Sequence, residues 1–281
     1  MKKILLPTDF SENALNAINY ALELFKEENC TFYFLNTFSP AIYSYEYQIA
    51  NNIYMSDVIR EIKIKSESKL TKILNEAKKK FNNPKHEFVI IAAYNRLYNE
   101  IKNLTTEHNF DLIVMGTKGA SGVKEVLFGS NTIHIIKKAR CPVMAIPSEY
   151  EFEKPTQILF PTDYKIDYTD RQLNLLKIIA KTYKSQVHIL HVSRGKGHSE
   201  TKKINEDKLN ELLTDISDAY YTFEYQEIPE AIREFMELNE AHLIMMINNE
   251  HTFFENLFIK PVIHQIGFHL VVPFLVIPSK L

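Results

Sequence analysis

Glycine is scarce in this 281-residue chain, and four of the seven glycines fall close together, at Gly116, Gly119, Gly122 and Gly129. Glycine permits positive φ and close backbone approach. A sequence that otherwise avoids it needs it here for backbone reasons. Cysteine is scarcer still. Cys30 and Cys141 lie far apart without metal-ligand spacing, which excludes a disulfide framework and reads as two buried thiols in a reducing compartment. No charge excess of either sign exists, with 33 basic against 35 acidic residues and a net charge of −2. That removes the electrostatic case for nucleic acid or an anionic membrane as partner. No apolar run approaches the length of a membrane span. A strand pattern starts at Lys3, so no secretory leader is expected and the cytoplasm is the expected location.

Several chemical motifs are missing too. No Gly-Lys-Ser/Thr closes the glycine cluster, so it is not a Walker A loop. Gly-x-Gly-x-x-Gly is absent, which excludes the dinucleotide fingerprint. No Ser-His-Asp or Cys-His set is recognisable, and no pair of carboxylates stands near the cluster as base and acid. His188 and His191, three apart on a strand, face opposite sides and make a poor metal pair.

What is present is a strand, a glycine loop and a helix start. Residues 111–115 form a short buried-strand pattern. The loop reads GTKGASGVKEVLFGSNT from Gly116 to Thr132. A helix over 130–138 opens on small polar residues, and Ser130, Asn131 and Thr132 can cap it, bind phosphate, or do both. In such a geometry free backbone N–H groups point inward and the helix dipole favours negative charge. Lys118 and Lys124 flank the loop and could neutralise phosphate.

The spacing of Gly116, Gly119 and Gly129-Ser130, with Met115 before and the strand of 143–146 after, resembles the ATP-binding signature of the universal stress protein family. The resemblance implies an α/β domain of adenine-nucleotide α-hydrolase-like topology, in three layers, α/β/α. Its five-stranded parallel sheet has the order 3-2-1-4-5. It implies ATP, with Mg or Mn, as the ligand. It implies adenosine contacts from Pro7, Thr8, Asp9, Thr37 and Met115, and phosphate contacts from Gly116, Gly119, Gly129, Ser130, Asn131 and Thr132. Asp9 accepts hydrogen bonds from the nucleotide or only organises the turn into the first helix. Thr37 stands where relatives carry an aliphatic residue.

Strands and helices alternate along the first half, which predicts a parallel sheet with right-handed crossovers. Strands are expected at 3–6, 31–38, 86–92, 111–115 and 143–146. Helices are expected after Ser11, over 56–81 and over 95–108. A tyrosine-rich stretch, 39–55, is too long for a simple connection and reads as a lid, a partner surface or an ordered loop.

The pattern then restarts. Ile158-Leu159-Phe160-Pro161-Thr162-Asp163 repeats Ile4-Leu5-Leu6-Pro7-Thr8-Asp9, and residues 245–278 align with 114–147 without a gap. This is an internal duplication. It places a first domain at 1–150, with an intact loop, and a second at 151–281. In the second copy Gly116 becomes Ile247, Gly119 becomes Glu250, Gly129 becomes Lys260 and Ser130 becomes Pro261. Every glycine that could approach a phosphate is lost. Phe253, Phe254 and Phe258 make that loop apolar, either as a plug or as a partner surface. The short stretch with Gly195 and Gly197 reads as a surface turn.

Three functions follow as expectations. The first is a stress-response sensor or regulator binding one ATP in its first half. The second is slow hydrolysis or self-phosphorylation at the same site, on Ser130 or Thr132. The third is an interaction module without nucleotide. The resemblance also implies an intramolecular pseudo-dimer through the two last strands, 143–146 and 274–277, and it leaves a homodimer open.

Overall fold

The computed structural model describes residues 1–39, 55–117, 129–193, 199–217, 219–224, 228–248 and 272–281. The tyrosine-rich stretch, Gly119, Gly122, Lys118, Lys124, the turn with Gly195 and Gly197, and the second loop from Glu250 through Pro261 lie outside these residues. The chain divides into two compact units, Met1–Cys141 and Pro142–Leu281.

The first unit runs β1 (Lys2–Pro7), α1 (Glu12–Leu24), β2 (Cys30–Phe38), α2 (Met55–Phe81), β3 (His86–Tyr94), α3 (Leu97–His108), β4 (Leu112–Gly116) and α4 (Ser130–Lys138). Its strands lie in the order β3-β2-β1-β4 and pair in parallel, with Ile4 opposite both Phe32 and Leu112. Continuous apolar runs build this sheet because both of its faces are covered. Ile4, Leu5, Leu6, Phe32, Phe34 and Ile113 are fully buried. Helix α1 begins where the sequence places it. The Ser11 hydroxyl accepts the Ala14 N–H, and Ala14, Ala17, Ile18, Ala21 and Leu22 are buried along one stripe.

The second unit runs β5 (Val143–Ile146), β6 (Gln157–Thr162), α5 (Asp170–Tyr183), β7 (Gln186–Ser193), α6 (Glu200–Leu213), β8 (Ala219–Glu224), α7 (Ile228–Leu238), β9 (Leu243–Asn248) and β10 (Phe274–Pro278). Its order is β5-β10-β9-β6-β7-β8. The last five of these strands reproduce the expected order 3-2-1-4-5 as a parallel sheet. Strand β5 falls within the second unit of this division, where Val143, Met144 and Ala145 pair antiparallel with Val276, Leu275 and Phe274. This pairing covers what would otherwise be an exposed apolar edge. Among the described residues, no helix is long and apolar enough to cross a membrane.

Candidate functional site

The carboxyl ends of parallel strands are where an open α/β sheet can admit a ligand. In the first unit, the ends of β1, β2 and β4 and the starts of α3 and α4 enclose a cavity of about 220 Å³. Strand β1 contributes Pro7, followed by Thr8 and Asp9. Strand β2 contributes Asn36 and Thr37, β4 contributes Met115 and Gly116, and α3 contributes Leu97. Gly129, Ser130, Asn131 and Thr132 form the wall at the start of α4, and Ala14 of α1 completes the lining. Every described residue that the resemblance assigned to ligand contact lines this one cavity. Gly119 lies outside the described residues.

The turn after β1 is built by its own side chains. The Thr8 hydroxyl accepts the Phe10 N–H at 3.0 Å, which holds Phe10 at a left-handed φ of 67°. Asp9 Oδ1 accepts both the N–H and the hydroxyl of Ser11, at 3.0 and 2.5 Å. The second unit repeats the device, with Thr162 accepting from Tyr164 at 3.1 Å, Tyr164 at φ 55°, and Asp163 accepting the Lys165 N–H at 3.1 Å. The aspartate's turn-forming role is thus present in both copies. A non-glycine residue at positive φ is uncommon, and here the threonine hydroxyl stabilises it twice.

Beneath the turn lies a buried hydrogen-bond chain. Asn36 donates from Nδ2 to the Thr8 carbonyl at 2.7 Å, and its Oδ1 accepts the Ser66 hydroxyl at 2.8 Å. This ties β2 and α2 to the end of β1. Asn36, Ala14 and Leu97 were not anticipated as lining residues. Asn36 had a legible signal, since it is an amide inside the apolar strand sequence TFYFLNTF.

At the other wall, the ends of the glycine loop are held together. Gly129 donates its N–H to the Thr117 carbonyl at 2.6 Å. That N–H is therefore engaged within the loop, and Gly129 contributes space and the cap position. Gly129 is the N-cap of α4 and has no side chain with which to cap it. Ser130 is the first helical residue and not the cap. The Thr132 hydroxyl donates instead to the Gly116 carbonyl at 3.0 Å. The first turn of α4 therefore faces the cavity without a side-chain cap, leaving backbone donors for an anion. Asp9 is the one charged side chain among the described lining residues. Attraction for an anion on this wall comes from the helix end.

The matching crevice of the second unit is closed. Phe160, Pro161, Thr162, Asp163, Ile166, Tyr168 and Ile247 leave about 10 Å³ between them. Ile247 is buried where the first unit has Gly116. Tyr168 is buried too, with its phenol hydrogen-bonded to the Thr162 hydroxyl, and burial pushes its pKa upward. Tyr168 was not anticipated, because it lies outside the loop whose glycines are lost. His191 takes over the work of Asn36, with Nδ1 donating to the Thr162 carbonyl at 3.2 Å and the ring stacked on Tyr164.

Other candidate groups lie elsewhere. His188 is held by Gln157 Oε1 at 2.5 Å, between the rings of Tyr221 and Phe235. Burial pushes both thiols up to about 12, so Cys30 and Cys141 are inert near neutrality. Among the described residues, no three His, Cys, Asp or Glu side chains gather as metal ligands would.

This fold and crevice define a class: duplicated α/β/α proteins with a pocket at the strand ends beside a helix N-terminus. The family model described as the universal stress protein family matches residues 1–147, and the chain belongs to that family. Universal stress protein MJ0531 of Methanocaldococcus jannaschii is 30% identical over 152 residues, covering 52% of this chain and 81% of its own. Universal stress protein YxiE of Bacillus subtilis is 28% identical over 145 residues, covering 51% and 97%. A solved universal stress protein from Archaeoglobus fulgidus matches 99% of this chain and 98% of its own. Its TM-score is 0.70 at 20% identity, a likeness of fold across both units.

Proposed function

We propose that this chain is a cytoplasmic stress-response protein that binds one ATP, with Mg or Mn, in the crevice of its first unit and acts as a nucleotide-dependent sensor or regulator. The observation that carries the reading is the cavity itself. It joins the ends of β1, β2 and β4 to an uncapped helix start, and Gly116 and Gly129 place no side chain in it. In this reading the apolar and polar strand ends, Pro7, Thr8, Asp9, Thr37 and Met115, take the nucleoside. The backbone of Gly116, Gly119, Ser130, Asn131 and Thr132 faces the phosphates. A hydrogen bond to a charged phosphate oxygen contributes about 1.5–3 kcal/mol, so a few of them set the affinity. Binding is favoured over turnover for two reasons. The Thr132 hydroxyl, one of the two that self-phosphorylation would use beside Ser130, donates to the Gly116 carbonyl, and the one described carboxylate in the lining, Asp9, accepts from Ser11.

The second unit acts as a filled copy in this reading, because Tyr168 and Ile247 occupy its crevice. Calorimetry of ATP against the intact chain tests the assignment. One site per chain is expected, with none in Gly119→Glu and no second site in Glu250→Gly. Two equivalent sites, or undiminished binding in Gly119→Glu, would overturn it.

A further inference from the structure

A second cavity of the first unit lies between α3 and α4, away from the crevice, and holds about 200 Å³. Its floor is apolar, formed by Ile101 and Ile135, both buried. The Tyr98 ring stands at one side, fixed edge-on against His134 at 4.5 Å between centroids. Three cations converge on the rim: Lys102 from α3, Lys138 from the last turn of α4, and Arg140 just beyond it. Among the described residues, no acidic residue lines the cavity.

Several described lysines meet carboxylates: Lys2 with Glu28 at 3.1 Å, Lys65 with Glu61 at 2.7 Å, Lys85 with Glu27 at 3.2 Å and Lys177 with Asp170 at 2.5 Å. Among the described residues, Lys102, Lys138 and Arg140 meet none. A single exposed lysine contributes little. Three like charges around one concavity with low-dielectric walls focus their field and raise the local concentration of anions. They also repel one another unless an anion sits between them. The guanidinium adds a planar fork that matches phosphate oxygens in pairs. The cavity exceeds a bare phosphate, and its floor and the Tyr98 ring offer apolar surface to an organic group.

We propose that this groove is a second anion site, for a small phosphate ester whose organic part rests on Ile101, Ile135 and Tyr98. The site stands independently of ATP binding in the crevice.

Calorimetry with phenyl phosphate on the full chain tests it, with inorganic phosphate as the comparison. Wild type should bind one phenyl phosphate, at least threefold more tightly than inorganic phosphate. The exposed pair Lys102→Glu/Arg140→Glu should lower the affinity at least tenfold, and Lys102→Gln/Arg140→Gln should lower it by a smaller factor in the same direction. Lys137→Glu makes one such charge reversal, on α4 outside the groove, and should stay within twofold of wild type. Ser130→Asp puts a negative charge in the crevice and should also stay within twofold, whether or not ATP binds there. Circular dichroism on each variant confirms folding. No saturable binding by wild type would overturn the proposal. So would equal affinity for the two anions, a groove variant that binds as wild type does, an equal loss in Lys137→Glu, or loss in Ser130→Asp.

Discussion

Asn13 stands so close to Gly116 that a side chain there would have to push the Asn13 amide aside. A methyl group on Gly116 would lie 2.6 Å from Asn13 Nδ2 and 2.7 Å from Asn13 Cγ. Asn13 is buried in the first turn of α1, which packs on β4. A side chain at the glycine that opens the loop would therefore have to displace the Asn13 amide. In the second unit Ile247 fills the matching position and stays buried.

Gly116→Ala should destabilise the chain by about 1–3 kcal/mol through overpacking against the Asn13 amide. Asn13→Ala in the same chain should recover part of that loss, because the two changes share one contact and are not additive. Urea unfolding of the two single variants and the double variant checks this. Purely additive losses would show that the contact is not the cause.

Asn36→Leu should cost about 1–3 kcal/mol, since it strips the Thr8 carbonyl and the Ser66 hydroxyl of their buried partner. Asn36→His should cost less. His191 already performs the same bond to a strand-end carbonyl in the second unit. Chemical denaturation ranks the two, and a histidine variant as unstable as the leucine variant would contradict the equivalence of Asn36 and His191.

Tyr168→Ala should lower stability by about 3–5 kcal/mol by emptying a buried aromatic site. Tyr168→Phe removes only the hydroxyl that meets Thr162, and should cost about 1 kcal/mol. Neither should create a second ATP site, because Ile247 remains in place of a glycine. Calorimetry showing two sites in Tyr168→Ala would mean that the phenol alone closes the second crevice.

Burial lowers the pKa of both His86 and His188 below the ordinary 6.5. Both rings are thus neutral when folded, while the unfolded chain takes up protons as pH falls through about 6.5. Their contribution to stability is fully present above that pH and is lost as pH falls toward the lowered folded values. Melting temperature should therefore drop between pH 7 and 5. His86→Gln/His188→Gln should flatten that slope, and an unchanged slope would assign it to other groups.

Much of the site could be read from the chain because it depends on local chemistry. Thr8, Asp9 and Ser11 form their turn with neighbours two or three residues away, and the duplicated sequence at Thr162 and Asp163 forms the same turn. The ungapped repeat exposed the loss at Ile247 for the same reason. Asn36 and Ala14 entered the lining only through the register of β2 with β1 and the packing of α1. Only Asn36 leaves a local trace, as an amide inside an apolar strand.

By itself the sequence determined the alternation of apolar strands and amphipathic helices, the duplication, and the glycine loop before α4. These follow from local periodicity and from backbone steric limits that each residue carries with it. Tertiary structure alone decided two things. Gly116 lies tight against the Asn13 amide, which a side chain there would have to displace. The second crevice is closed by Tyr168, a residue outside the loop, because α5 begins later after β6 than α1 does after β1, and the intervening chain carries a phenol into the gap. Each depends on which distant atoms compete for the same volume, and close packing settles that only when the whole chain is assembled.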